Sequence, residues 1–226
     1  SILAARFLGP ANWGIVAAVT SFIPILVALT DLGIGSALFQ YAADKWKTSD
    51  DHQAVKAFRT ALSLRLMSLL LLSLLIAFFA RSLSNLIFKV DGLYLMVWAT
   101  FGLISVSLFD FLILSFQSRA EWKTAAVLTG LVNSLRVVFL ILFYFLGGIT
   151  VSSVLFVYII SGLVLFLFPF WGLGIMPGMP SGWRKLISEF ARFSLWLTVN
   201  KIAGTIASRV DVIILLQIGG AYTAGI

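Results

Sequence analysis

Six long apolar segments, separated by short polar loops, fill almost all of this 226-residue chain. Each has about 19 to 26 residues, enough for a helix to cross a hydrocarbon core roughly 30 Å thick. Strands of a membrane barrel would be about ten residues long with alternating polarity, and these segments are longer and apolar on every face. Because backbone polar groups in lipid must be paired within the fold, the sequence predicts an all-α, polytopic bundle of transmembrane helices.

The composition excludes a water-soluble domain. Hydrophobic residues make up 61% of the chain and charged residues 11%, against about 25% charged residues in soluble domains. The net charge of +7 therefore does not indicate nucleic acid, since Lys and Arg of membrane proteins collect in cytoplasmic loops. With no cysteine and a single histidine, His52 in a polar loop, the sequence predicts no metal site and no cofactor.

The positions of the apolar segments give six predicted full spans. The predicted ranges are 14–39, 61–80, 93–116, 125–146, 151–171 and 193–218. A short apolar tail over 1–5 resembles the end of a preceding span, and an amphipathic linker over 183–192 leads into the last one. We therefore expect the chain to be an internal segment of a longer protein.

Lys and Arg are unevenly distributed between the loops on the two sides of the predicted bundle. Three loops on one side carry nine of them, and the loops on the other side carry three. The basic loops are those over 41–59, 117–124 and 172–192, and the opposite residues are Arg6, Arg81 and Lys89. Because cytoplasmic loops are enriched in these residues, the basic loops are predicted to face the cytoplasm.

A weak internal repeat relates the two ends of the chain. Residues 8–15 align with residues 219–226 at a fixed offset, and six predicted spans lie between them. Both segments are turns rich in small residues. Two related halves of six helices are common in secondary transporters, so the repeat favours that class of protein.

Several predicted spans carry polar residues at membrane depth, where charges are costly and usually face a bundle interior or a water-filled cavity. At helical spacing, these residues fall on single helix faces. Arg136 and Lys201 are the first candidates for lining a cavity, because a cation at mid-depth cannot easily reach water. The other candidates are Arg65, Asn133, Thr129, Thr198, Thr205, Asp31 and Asp110.

Structural interpretations of the same residues remain open. Arg65 could extend its guanidinium to the cytoplasmic headgroups, and Asp31 could brace the turn that follows it. Arg209 and Asp211 could satisfy each other or nearby helix ends. Hydroxyl groups of Ser and Thr often bond to the backbone of their own helix.

The sign of the embedded charge favours an anionic cargo. The spans hold four cations against three acids, which predicts a slightly basic cavity suited to a phosphate group. Asp31 or Asp110 could bind H⁺ or Na⁺ as a coupling ion, although nothing in the pattern assigns this role to either.

One turn resembles the signature of a known family. Residues 5–14, Ala-Arg-Phe-Leu-Gly-Pro-Ala-Asn-Trp-Gly, resemble the Ala-Arg-x-Leu-Gly-Pro-x-x-Tyr/Trp-Gly motif of the polysaccharide biosynthesis transporters. These are the Wzx-type O-antigen flippases and their relatives in the MOP superfamily. The family positions that the chain matches are Arg6, Gly9, Pro10 and Gly14, with Trp13 in place of the commoner Tyr, and Asp211 in a weaker match over 208–211. Further weak matches lie over 30–38 and 219–225.

The resemblance implies a fold of about twelve to fourteen helices in two pseudo-symmetric lobes around a central cavity. The chain would be a single transmembrane domain over 1–226, with a MATE/MOP-like N-terminal lobe over about 1–192 and the start of a second lobe over 193–226. The turn at Arg6 would face the periplasm, which agrees with the distribution of loop charges.

The resemblance also implies the cargo, an oligosaccharide linked to undecaprenyl pyrophosphate. Alternating access would move it across the bacterial inner membrane for O-antigen, capsule or exopolysaccharide synthesis. Arg136 and Lys201 would attract the pyrophosphate or acidic sugars while the lipid tail stays in the bilayer. Polysaccharide polymerases and assembly proteins are the protein partners to expect.

Two other functions compete with this expectation. A drug/cation antiporter of the same superfamily would suit a net acidic cavity and would not need the Leu-Gly-Pro turn. A membrane-embedded polysaccharide polymerase or glycosyltransferase would need a long catalytic loop. The longest loops here have about twenty residues and contain no acid/base pair, Gly-rich phosphate loop or metal-ligand spacing. We therefore expect a transporter and not an enzyme.

Overall fold

The computed structural model describes residues 2–48, 51–88, 92–173, 178 and 183–224, and in these ranges the chain forms eight α-helices and no strand. The helices are α1 (Ile2–Asp31), α2 (Ile34–Lys47), α3 (Asp51–Ile87), α4 (Leu93–Ser118), α5 (Trp122–Leu146), α6 (Val151–Leu173), α7 (Trp183–Ala207) and α8 (Val210–Ala224). The predicted all-α bundle is confirmed.

The surface of the bundle is that of a membrane protein. Five segments are long and apolar enough to cross a bilayer, and α6 adds a shorter apolar stretch over Val151–Leu167. The outer face of α3 carries Leu, Met and Phe side chains, among them Phe78, which is 82% exposed. Such a face is stable in lipid, which is as apolar as the side chains themselves. The chain is therefore a multi-pass membrane protein.

Three of the predicted spans coincide with helices of the structure. Helices α4, α5 and α6 begin and end within three residues of the predicted ranges 93–116, 125–146 and 151–171. The linker predicted over 183–192 is helical and continuous with α7. In these cases the long apolar run and the helix have the same limits, because polar or glycine-rich residues flank them closely.

The prediction of a loop over 41–59 was wrong, because the described residues of this polar stretch form the end of α2 and the first turns of α3. Ala57, Phe58 and Ala61 of α3 are completely buried beside Leu38 and Ala42 of α2. Small side chains allow two helices to approach closely, which holds the pair together. Helix α3 consequently has 37 residues and a length of about 55 Å, much more than the bilayer core requires.

The limits predicted for the first and last spans were also wrong, because a turn interrupts each of them. Helix α1 ends at Asp31, where Leu32 and Gly33 have φ values of +44° and +67°. The last span is interrupted at Ser208 and Arg209, between α7 and α8. The first of these turns places the carboxylate of Asp31 at a helix end inside the bundle.

The core of the bundle lies between α1, α4 and α6. At its centre Ser105, which is fully buried, donates a hydrogen bond of 2.6 Å to the carbonyl of Ile159 and so joins α4 to α6. Helix α8 packs along α1, and the amide of Gln217 donates to the carbonyl of Leu86 at the end of α3. Residues 193–224 thus pack on the preceding helices, and the division into two lobes near residue 192 stays a prediction.

Candidate functional site

The carboxylate of Asp31 is the centre of a charged cluster inside the bundle. Asp31 is 1% exposed, and its Oδ1 accepts hydrogen bonds from the guanidinium of Arg65 and, at 3.3 Å, from the N–H of Gly35. Its Oδ2 accepts a hydrogen bond of 2.7 Å from the ammonium of Lys201. Gly35 lies in the first turn of α2, where backbone N–H groups have no partner within the helix. Asp31 therefore braces the turn and binds two cations at once.

Arg65 is fixed in the interior by partners on two helices. Its side chain is 4% exposed. Besides Asp31 it contacts Ser107 of α4, with Nε donating to the hydroxyl at 2.7 Å and Nη2 to the carbonyl at 3.4 Å. This geometry contradicts the interpretation in which Arg65 extends to the headgroups. A guanidinium with a carboxylate, a hydroxyl and a carbonyl as acceptors is well compensated for its burial.

Lys201 reaches the same carboxylate from α7. Its side chain is 45% exposed, and the bond to Asp31 is the ion pair that it makes within the described residues. The two residues are far apart in the chain, so this contact ties α7 to the end of α1. A half-exposed ammonium with one acceptor is held much less firmly than the Arg65 guanidinium.

A cavity of about 250 Å³ adjoins this cluster and is lined by Arg65, Lys201, Asp31 and Asp110 among others. In the described parts of the chain, the carboxylate of Asp110 has neither a hydrogen bond nor an ion pair. Two cations thus face two acids here. The prediction of a basic cavity is wrong for this site, because Arg136 and Arg209 of the sequence count lie elsewhere.

Arg136 lies in a second cavity of about 490 Å³ between α1, α5 and α6. Its guanidinium stacks on Tyr158 at 4.1 Å from the ring centroid, and its Nε donates to the hydroxyl of Ser161 at 3.1 Å. Asn133 contributes an oxygen 3.5 Å from Nη1. No carboxylate of the described chain pairs with Arg136. Arg136 and Lys201, the first two candidates for lining a cavity, therefore line two different cavities.

The predicted hydroxyl and amide residues mostly bond to their own helices. Thr129 donates to the carbonyl of Ala125 at 2.9 Å, and Thr205 donates to that of Lys201 at 2.7 Å. Asn133 donates to the carbonyl of Thr129 at 3.0 Å while its side chain lines the Arg136 cavity. Thr198 is half-buried on α7. Bonds of this kind are the ordinary behaviour of such residues in helices.

The residues of the family motif lie at a helix break. Gly9 has φ +74° and ψ 165°, which interrupts α1, and Pro10 follows it directly. Arg6 is exposed and Gly14 is buried. Asp211 lies in the first turn of α8, where its carboxylate accepts a hydrogen bond of 2.9 Å from the N–H of Val212. It forms no ion pair with Arg209 within the described residues.

The remaining features of the sequence analysis lie in polar segments, and some of them fall outside the described residues. His52 is exposed in the first turn of α3, and the described residues contain no group of three potential metal ligands. Lys89 and Asp91, and the side chains of Arg184, Lys185 and Arg192, are not among the described groups.

Sequence reasoning did not select three residues that complete the two sites. These are Gly35, Tyr158 and Ser161. Tyr158 and Ser161 fall three residues apart on one face of α6, so a polar stripe was the available signal. The contact of Gly35 with Asp31 depends on the turn at residues 32–33, which the sequence offered only as one possible reason for Asp31.

A solved structure described as the inward-facing conformation of a multidrug resistance MATE family transporter of the MOP superfamily has a similar fold. It matches with a TM-score of 0.69 and 17% sequence identity, covering 96% of this chain and 52% of that one. The chain therefore has a MATE-like fold and spans about half the length of that transporter.

The sequence comparisons agree with the resemblance in the first turn. No curated protein matches the chain significantly. The model of the family described as "Polysaccharide biosynthesis protein" matches all of residues 1–226, and the chain belongs to this family.

Proposed function

We propose that the protein transfers an oligosaccharide linked to undecaprenyl pyrophosphate from the cytoplasmic to the periplasmic leaflet of the bacterial inner membrane. The family is one of polysaccharide biosynthesis, and the fold resembles that of a transporter. One observation carries the proposal: a half-exposed ammonium, that of Lys201, lies beside a cavity inside a membrane bundle. A protein that binds a soluble glycosyl donor would not need a cation at this depth, because such a donor does not enter the membrane.

The cavity beside Lys201 has the size of a linking group. At about 250 Å³ it lies below the usual range of about 300–1,000 Å³ for drug-sized ligands. A phosphate or pyrophosphate would fit in it, whereas an oligosaccharide would extend beyond it. Recognition through the phosphate, which every cargo with this linkage shares, would leave the sugars and the lipid tail outside the cavity.

Arg136 supplies a second cation for the cargo. The guanidinium has five N–H donors, and Ser161 takes the one on Nε. The Tyr158 ring and the oxygen of Asn133 also contact the guanidinium, but among the described residues no carboxylate pairs with it and the cavity walls are mostly apolar. An acidic sugar or a phosphate oxygen entering this cavity would compensate the charge of Arg136, and Arg can bind such groups through two parallel hydrogen bonds.

Asp110 is the better of the two candidates for binding a coupling ion. Asp31 already binds two cations, whereas the Asp110 carboxylate faces Arg65, Lys201 and Asp31 without bonding to any of them. A proton or Na⁺ could therefore reach Asp110 without breaking an existing ion pair. We assign the coupling role to Asp110 and the role of a fixed counter-ion to Asp31.

The second candidate function is the export of cationic compounds. The balanced charge of the Lys201 cavity favours it, and so does the carboxylate of Asp110, which has no ion pair among the described residues and could bind a cation. In that case Asp110 would bind the cargo and Lys201 would hinder it. The two functions therefore predict opposite effects of removing the charge of Lys201, and they differ in which cargo Asp110→Asn fails to transport.

The experiment compares Lys201→Gln with Asp110→Asn in the full-length protein, reconstituted in liposomes with a lipid-linked oligosaccharide. Glycan that becomes accessible on the far side is measured, with Lys123→Gln, an exposed lysine of α5, as the matched control. We expect transfer by the wild type and the control, and a loss of about tenfold or more in Lys201→Gln, the typical effect of removing a charged hydrogen bond. Unchanged transfer in Lys201→Gln would remove the site; cation efflux that Asp110→Asn abolishes, without glycan transfer, would establish the second candidate.

A further inference from the structure

Two cations share the carboxylate of Asp31, and the structure distinguishes them sharply. Arg65 is held by Asp31 and by two oxygens of Ser107, with 4% of its side chain exposed. Lys201 has 45% of its side chain exposed and, within the part of the chain that the structure describes, one side-chain bond, to Oδ2. Arg65 is therefore the permanent partner of the carboxylate, and Lys201 is the partner that can leave.

The carboxylate remains satisfied when Lys201 leaves. Its Oδ1 keeps the bonds from Arg65 and from the N–H of Gly35, and neither of these bonds involves Lys201. Loss of Lys201 therefore exposes Oδ2 to the cavity without leaving a buried charge alone, which would be strongly destabilising. Oδ1 therefore keeps its partners throughout, whereas Oδ2 can exchange its partner.

In the carrier without cargo, the group that lacks a phosphate partner is the ammonium of Lys201. A counter-ion lowers the cost of an ammonium at membrane depth, and in the return without cargo no phosphate is present to supply one. In the described chain that counter-ion is Asp31, at 2.7 Å. A phosphate oxygen of the cargo is, like Oδ2 of Asp31, an anionic acceptor that can form a charge-assisted hydrogen bond with an ammonium.

We propose that Oδ2 of Asp31 is a built-in substitute for the cargo phosphate, pairing with Lys201 in the empty carrier and giving way when phosphate binds. This inference rests on the proposed function and adds a role for a residue that does not itself bind the cargo. Asp31 competes with the phosphate for Lys201, and it also allows the unloaded protein to return with its charge compensated.

The first test uses binding of inorganic pyrophosphate to the detergent-solubilised full-length protein. Asp31→Asn removes the competitor while keeping the shape of the side chain, so pyrophosphate should bind about tenfold more tightly. The added Lys201→Gln change should abolish this gain. Asp44→Asn, the same substitution at an exposed position of α2, is the control. Unchanged or weaker binding in Asp31→Asn would overturn the proposal.

The second test separates exchange from net transfer in proteoliposomes. With cargo in both leaflets the carrier never returns empty, so exchange by Asp31→Asn measures every effect of the substitution except that on the empty return. Net transfer also requires the empty return and should fall about tenfold more than exchange does, because Lys201 then lacks the carboxylate of Asp31. Exchange and net transfer that fall together would contradict the substitute role.

Folding and function are controlled separately. If Asp31→Asn does not yield monodisperse protein, Asp31→Asn with Arg65→Gln removes both charges of the buried pair and tests the same expectation for pyrophosphate. If the wild type transfers no lipid-linked glycan, the proposed function fails. The pyrophosphate measurement still decides whether Asp31 competes with an anion for Lys201.

Discussion

Gly9 and Gly220 adopt the same backbone conformation at the two ends of the chain. Gly9 has φ +74° and ψ 165°, and Gly220 has φ +75° and ψ −177°, each interrupting a helix. They occupy equivalent positions of the weak internal repeat. Because only glycine adopts this region readily, the matching geometry supports the repeat more strongly than the aligned letters do.

We expect Gly9→Ala and Gly220→Ala to destabilise the protein by about 1–3 kcal/mol each, the usual effect of forcing an L-residue into this conformation. An added Cβ would meet no atom within 4 Å at either site, so the effect is one of backbone strain. Thermal unfolding in detergent measures it. Gly130→Ala, inside α5 and equally open, is the control and should be neutral or stabilising. Equal stability of all three variants would refute the strain.

The ion pair of Asp31 with Arg65 should show strong coupling in a double-mutant cycle. Asp31→Asn leaves the buried guanidinium of Arg65 without its acid and should cost about 3–5 kcal/mol of unfolding free energy, whereas Arg65→Gln leaves the carboxylate paired with Lys201 and should cost less. The double variant should cost clearly less than the two single ones together. Additive losses would mean that the two groups do not interact in the folded protein.

Gly35→Ala should disturb the site through contact with Asp31. A Cβ at this position would lie 2.9 Å from Oδ1 of Asp31 and 3.3 Å from Leu114, so the carboxylate must move. We expect a loss of about 1–3 kcal/mol in stability, typical of overpacking. Displacement of the carboxylate should also weaken its bond to Lys201, which tighter pyrophosphate binding would report. Normal stability and normal pyrophosphate binding would contradict the packing at this position.

Arg136→Lys should reduce glycan transfer although the charge is kept. Lysine cannot reproduce the stacking on Tyr158 together with the bond to Ser161. We expect a loss of about tenfold, equivalent to roughly 1.4 kcal/mol. Arg119→Lys removes a similar contact, with Trp46 at 4.8 Å, outside both cavities, and should have little effect. Equal transfer by the two variants would show that Arg136 needs only its charge.

Much of the fold could be predicted because lipid imposes long apolar helices. The limits of α4, α5 and α6 follow from this constraint alone. The turn after Asp31 was one of two interpretations left open by the sequence, and the predicted span 14–39 continued through it because apolar residues lie on both sides; the helix break itself depends on the positive φ of Leu32 and Gly33. The burial of Ala57 and Ala61 was likewise hidden in a stretch that is polar on its other faces.

The candidate site was predictable as a set of residues but not as an arrangement. Helical spacing indicated that Arg65, Asp31, Asp110 and Lys201 are embedded, and their charges were counted along the sequence. The count did not reveal that these four meet at one cavity while Arg136 occupies another. That division depends on packing between helices that are distant in the chain, which no local pattern contains.

The most direct test varies the linking group of the cargo and compares the wild type with one variant. Transfer is measured for the same glycan and polyprenol joined by a pyrophosphate or by a monophosphate, in wild type and in Lys201→Gln. If the Lys201 cavity recognises the linking group, the wild type should prefer the pyrophosphate by about tenfold, and Lys201→Gln should lose that preference. Equal transfer of both lipids by the wild type, or a preference that survives in Lys201→Gln, would contradict recognition of the phosphate at this site.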